Sequence, residues 1–206
     1  TTIVKGLRAA GVRVIDIGPD FRLKDTRLFA EYYKTEHHAP ELLDEAVYGY
    51  VPGWREPLRS AQLVAVPGCY PISIITPLRP LLKAPIAPES IVINSVSGIS
   101  GAGRTPSEAL QFPEMNENFK AYKVAVHQHI PEIEQALNNT WKVQYTPHVA
   151  PMNRGIHTTI VLRPTEAFDP ADYYGAYANE PFIRVLGEGA APEVKHVRGT
   201  NFIDFG

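Results

Sequence analysis

The sequence reads as an α/β unit over residues 1–68, followed by a mostly antiparallel α+β domain over residues 69–206. Up to residue 68, apolar runs bounded by Gly and Pro alternate with helical stretches. Beyond it, strands succeed one another across short loops, which suits antiparallel pairing. A strand that closes on Pro67-Gly68 and runs into Cys69-Tyr70 marks the boundary.

Ile3–Ala10 reads as a helix end with Gly11 as its stop. Val12–Ile17 is a β-branched run ending at Gly18-Pro19-Asp20, hence a buried strand. Phe21–His38 shows no clean period and reads as loop. Pro40 in a first turn opens a short helix expected to run through Val47. Gln62–Val66 is a strand, and Tyr70–Leu82 a helix shortened by Pro77 and Pro80. Ser90–Ser97 is a strand followed by a glycine-rich turn, Gly98–Arg104, and Pro106–Gln111 is a turn or two of helix. Tyr122–His129 alternates as a strand, and Pro131–Leu137 starts a helix. Lys142–Pro147, Ile156–Leu162 and Val194–Phe205 read as strands, Ala171–Ala178 as a helix.

Composition narrows the function. With Lys+Arg 20 against Asp+Glu 22, no nucleic-acid partner is expected. No apolar run reaches the ~20 residues of a membrane span. One Cys excludes a disulfide framework and a multi-Cys metal site, and suits a reducing compartment. Thr1 stands where a natural start would have Met, and Asn201–Gly206 reads as a strand cut in mid-course, so a piece of a longer chain is expected.

Cys69 follows a strand and opens a helix, where free N–H groups and the dipole lower a thiol pKa. It is therefore a candidate nucleophile, against the plain reading of a small buried hydrophobe. His127 and His129, two apart on the expected strand, share a face and can serve as acid and base or bind substrate. Glu132 either orients an imidazole or supports its helix N-terminus. His37, His38, His148 and His157 stand at no diagnostic spacing, so no metal is expected. The turn Gly98-Ile99-Ser100-Gly101-Ala102-Gly103-Arg104 is a phosphate cradle or a plain hairpin loop. Arg154 either clamps a carboxylate or is a surface Arg beside a turn.

Four motifs then fall in one order: Pro67–Pro71, Ser97–Arg104, His127–Ile133 and Pro151–Ile156. With Ile15–Leu23 and Pro40–Leu43, they resemble the N-acetyl-gamma-glutamyl-phosphate reductases over nearly the whole chain. That family is similar in fold to glyceraldehyde-3-phosphate dehydrogenase. The resemblance implies that residues 1–68 are the C-terminal part of a Rossmann-like NADP-binding domain lacking its glycine-rich start. Residues 69–206 would then be a catalytic and oligomerisation domain. It further implies NADPH-dependent reduction of an acyl phosphate through a thioester on Cys69, with His129 as acid/base. Substrate contacts would come from His127, Tyr122, Arg104, Arg154 and Glu132. Cofactor contacts would come from Ser97, Gly98, Ser100, Gly101 and Gly103. A homo-oligomer in the cytoplasm, or an organelle matrix, is the matching expectation. Rival readings are the related aminoadipyl-phosphate and aspartyl-phosphate reductases, a cofactor-independent Cys–His thiol hydrolase, and a non-catalytic assembly domain.

Overall fold

The computed structural model describes residues 1–206. Helix α1 (Thr2–Ala9) ends where Gly11, at φ +73°, turns the chain into β1 (Val14–Asp16). Helix α2 (Thr26–Tyr33) lies inside the stretch expected to be loop. Its signal was local: the Asp25 carboxylate accepts the N–H groups of Arg27 and Leu28, and Lys34 closes the helix at φ 58°. The helix expected from Pro40 is a single turn, Pro40–Leu42, and Val47 belongs to strand β2 (Ala46–Tyr48). Pairing with a neighbouring strand overrides the weak helical start. Helix α3 (Val51–Ser60) was not foreseen; it kinks at Trp54 and contains Pro57. Strand β3 (Leu63–Ala65) is buried at all three positions because it lies between β1 and β2, parallel to both.

Helix α4 (Cys69–Leu78) starts at the thiol and buries Tyr70, Ile74, Ile75 and Leu78. Strand β4 (Pro88–Gly98) follows, then α5 (Phe112–Met115), β5 (Lys120–Ala121), α6 (Ile130–Ala136), β6 (Gln144–Ala150) and β7 (Ile156–Pro164). These strands form one sheet in the order β5-β6-β4-β7. The expectation of a mostly antiparallel domain is corrected: the sheet is mixed, because β4 runs parallel to β6 and antiparallel to β7, with β5 antiparallel to β6. The alternation along β4 sends Ile91, Ile93, Ser95 and Ser97 inward. Ile91 and Ile93 join Ile74, Ile75, Ile133, Leu137 and Tyr145 in the larger core.

Two expected strands are corrected. Tyr122–His129 is a turn, with Lys123 and Ala125 at positive φ. Its apolar alternation does not bury: Val124 and Val126 are 55% and 65% exposed. The segment turns back to bring both buried histidines together at its C-terminal end. Val194–Phe205 divides into α8 (Val194–Val197) and β9 (Ile203–Phe205), separated by Gly199 at φ +79°. Before them come α7 (Ala171–Tyr174) and β8 (Ile183–Val185), and β8 pairs parallel with β9.

Candidate active site

Cys69 sits where the small parallel sheet meets the mixed one. Strand β3 ends, Gly68 caps α4 in an extended conformation, and the thiol side chain is exposed on the first helical residue. The surrounding protein nevertheless withdraws water from the sulfur. Burial pushes the thiol pKa up, while the backbone N–H groups of Tyr70 and Cys69 and the charge of Arg22 pull it back. The net direction is upward, so the expectation that the helix start leaves a depressed pKa does not hold here. Desolvation outweighs the dipole.

The imidazoles of His127 and His129 lie at a 4.7 Å centroid separation, both buried. Tyr70 and Tyr122 edge the ring of His127 at 5.7 and 5.6 Å, and their hydroxyls meet at 3.0 Å. His127 Nδ1 accepts the backbone N–H of His129 at 3.1 Å. His129 Nε2 faces Gly68, where a Cβ would come within 2.5 Å of it. The histidine thus rests against the residue before the thiol, and only glycine leaves room. Burial, with the nearby Lys123, holds His127 down to about 4. Burial, His127 and nearby cations push His129 down to about 2. Both rings are neutral at pH 7.

Glu132 touches neither imidazole, and with 0% exposure it offers no surface to a substrate. The imidazole-orienting role and the substrate contact implied by the resemblance are therefore corrected, while Glu132 does sit in the first turn of α6. Its Oε1 accepts the Gly68 N–H at 2.7 Å and the Tyr48 hydroxyl at 2.8 Å. Arg22 Nη1 lies 3.7 Å from Oε2. Burial raises the carboxyl pKa, and Arg22, Gly68 and Tyr48 draw it back. Neither Arg22 nor Tyr48 was singled out from the sequence. A buried Arg in Gly18-Pro19-Asp20-Phe21-Arg22 carries no periodic signal.

Cys69 opens onto a cleft of about 1300 Å³, which Ser97, Gly98, Ser100, Gly101 and Arg154 also line. His127, His129 and Tyr122 stand behind the helix start, outside that lining. Arg104 and Gly103 are exposed and apart from it. At its N-terminal end the glycine-rich turn offers no phosphate cradle. The N–H groups of Gly98, Ile99 and Ser100 already donate to the carbonyls of Gly155, Met152 and Asn153. Gly98 is glycine because a Cβ would meet the backbone of Asn153 and Arg154 at 2.8–2.9 Å.

A family model described as "Semialdehyde dehydrogenase, dimerisation domain" matches residues 69–206. The N-acetyl-gamma-glutamyl-phosphate reductase of Magnetococcus marinus is 44% identical over 213 residues, covering 99% of this chain and 61% of that protein. The one of Pelotomaculum thermopropionicum is 48% identical over 205 residues, covering 95% and 59%. The chain thus spans about three fifths of the length of these curated relatives. Among solved structures, aspartate semialdehyde dehydrogenase II from Vibrio cholerae matches with a TM-score of 0.68 at 15% identity, over 96% of this chain and 62% of that one. Aspartate semialdehyde dehydrogenase with NADP from Candida albicans matches with a TM-score of 0.59 at 14% identity, over 95% and 60%. At these identities the structures speak for the fold alone.

Proposed function

Since the chain belongs to the semialdehyde dehydrogenase family, we propose that it carries the thioester chemistry of an N-acetyl-gamma-glutamyl-phosphate reductase. That enzyme converts N-acetyl-L-glutamyl 5-phosphate to N-acetyl-L-glutamate 5-semialdehyde and phosphate, a step of arginine biosynthesis. The observation that carries the reading is the seating of His129 against Gly68, next to a thiol that opens onto a large cleft.

The Cys69 thiolate attacks the acyl carbon, the bond to the phosphate oxygen breaks, and inorganic phosphate leaves. NADPH, when bound, supplies the hydride that reduces the resulting thioester. The neutral His129 takes the thiol proton and passes it to the departing phosphate; the oxyanion left by hydride addition then expels the Cys69 thiolate, the carbon–sulfur bond breaking as the aldehyde forms. Tyr122 flanks the helix start beside His127, which is too buried to touch the acyl group, and Arg154 receives the substrate carboxylate across the cleft. Arg104, exposed and apart, would reach the substrate only by a movement of its loop. The open cleft beside Ser100 and Gly101 suits the nicotinamide end of the cofactor. Ser97 and Gly98 shape the start of that loop, where the N–H groups of Gly98, Ile99 and Ser100 are already bonded and leave nothing for phosphate.

In this reading residues 1–68 belong to a Rossmann-like cofactor domain and residues 69–206 to the catalytic and oligomerisation domain. The description of the matching family supports a homo-oligomer. No helix is long and apolar enough to cross a membrane, and bacterial biosynthetic relatives support a cytoplasmic site.

Intact mass after mixing with N-acetyl-glutamyl phosphate tests the reading without needing the cofactor. An acyl adduct on the folded chain, absent from Cys69→Ser, is expected. No adduct on a chain that circular dichroism shows to be folded would refute it. An adduct that turns over in water alone would favour the thiol hydrolase.

A further inference from the structure

We propose that Glu132 is a positioning residue for Cys69, acting through the backbone of Gly68; the proposal rests on the thioester reading above. The carboxylate is fully buried, and one of its oxygens accepts the N–H of the residue immediately before the nucleophile. A backbone N–H bonded to a buried carboxylate is a strong and directional contact. It falls on the helix cap, so it sets where the first turn of α4, and with it the sulfur, begins.

The same helix carries the other reacting group. His129 lies one turn before Glu132 on α6, and its Nε2 faces the open side of Gly68. Gly68 is therefore gripped twice: its N–H by Glu132, its Cα side by His129. Thiol and imidazole take their positions from a single residue.

The grip is anchored in the first unit. Arg22 stands beside Glu132 and donates to the carbonyls of Val66 and Ile17, at 2.8 Å each. These carbonyls follow the carboxyl ends of β3 and β1. One turn further along α6, Gln135 accepts the Lys24 N–H and donates to the Arg22 carbonyl, again at 2.8 Å each. Tyr48, from the end of β2, bonds the same carboxylate oxygen as Gly68, and the other oxygen faces Arg22 without a hydrogen bond. All three parallel strands thus bear on the turn that presents Cys69. The alternative role, orientation of His129, has no contact behind it: His129 Nδ1 is buried without a partner.

The test is the pH profile of Cys69 alkylation by iodoacetamide, which needs neither substrate nor cofactor. Failure of the reductase reading would leave it intact. The charged groups that bear on the thiol are Arg22 and Glu132, and the neighbouring imidazoles are neutral. Glu132→Gln keeps an acceptor for the Gly68 N–H and removes only the negative charge, so the thiol midpoint falls. Glu132→Leu or Glu132→Ala frees the turn and withdraws the fixed N–H groups from the thiolate. The midpoint then rises by about half a pH unit or more. Tyr177→Phe, which removes a buried hydroxyl bond to the Thr76 carbonyl away from the thiol, lowers the melting temperature and leaves the profile unchanged.

Opposite movements of the Gln and truncated variants are the expected result. Movement of both downwards would make Glu132 a charge and nothing more. Movement of neither would make it a structural residue. If neither truncation folds, Glu132→Asp decides: it keeps the charge and withdraws the acceptor from the Gly68 N–H. A raised midpoint sustains the proposal, and an unchanged or lowered one overturns it.

Discussion

Gly68 shows how much chemistry one missing side chain can arrange. A methyl group there would press on His129 at 2.5 Å, and the ring is too enclosed to step aside freely. Gly68→Ala is expected to keep the fold and slow acylation of Cys69 by at least about tenfold, an effect of a misplaced reacting group. Acyl-adduct kinetics by mass spectrometry would check it, and a wild-type rate would contradict it. The histidine pair has its own signature. Both imidazoles have folded pKa values below the 6.5 of a free histidine, at about 4 and about 2. Below pH 6.5 the unfolded chain therefore binds more protons at these sites than the folded one. Their stability contribution is complete above that pH. It drains as pH falls through about 4 for His127 and on towards about 2 for His129. Thermal melts between pH 7.5 and 4.5 should show a falling midpoint. His127→Asn, which keeps an acceptor for the His129 N–H, should flatten the decline. The pair stood out in the sequence as His-Gln-His, but its partners did not. Glu132 lies three residues from His129, which suggested an imidazole contact. The carboxylate turned instead to a backbone N–H 64 residues away in the chain.

Elements closed by strong local chemistry were the legible ones. The start of α4 follows from Pro67-Gly68 before the thiol and Pro71 in the first turn, and β7 follows from an unbroken β-branched run. Helix α2 escaped notice because its Asp25 cap is visible only when the following residues are known to be helical. Helix α3 escaped because Pro57 inside it argues against a helix; the kink at Trp54 and the packing of Arg79 over that ring, 3.9 Å from its centroid, accommodate it. The turn at Tyr122–His129 failed as a strand because an alternating pattern cannot say whether a neighbouring edge is available. The joint between β4 and the β6–β7 connection depends on Gly98. A Cβ there meets backbone atoms of Asn153 and Arg154, which have nowhere to go. Gly98→Ala should cost about 1–3 kcal/mol in chemical denaturation, the usual range for overpacking. It should also disturb Arg154 at the rim of the cleft.

The whole molecule shows two incompletely covered sheets. The face of the mixed sheet away from α4 exposes Val161 at 58%, opposite Val92 in the β4–β7 register. An open apolar sheet face is what a homo-oligomer would bury, so Val161→Glu is expected to shift sedimentation towards a monomer while the far-ultraviolet spectrum stays the same. The parallel sheet leaves Ile15 and Ile17 exposed at 66% and 76%, although parallel sheets are ordinarily covered on both faces. Two layers of information can thus be separated. Residue order alone carried the succession of α/β and α+β units, the placement of the thiol at a helix start and the four motifs that mark the family. Those depend on neighbours in the chain: caps, prolines, glycines and local periodicity. The direction of Glu132, the neutrality of the histidines, the spent N–H groups of the glycine-rich loop and the raised thiol pKa came from the folded chain. Each depends on which distant groups share a dry interior, and burial sets hydrogen-bond partners and charge states that no local pattern encodes.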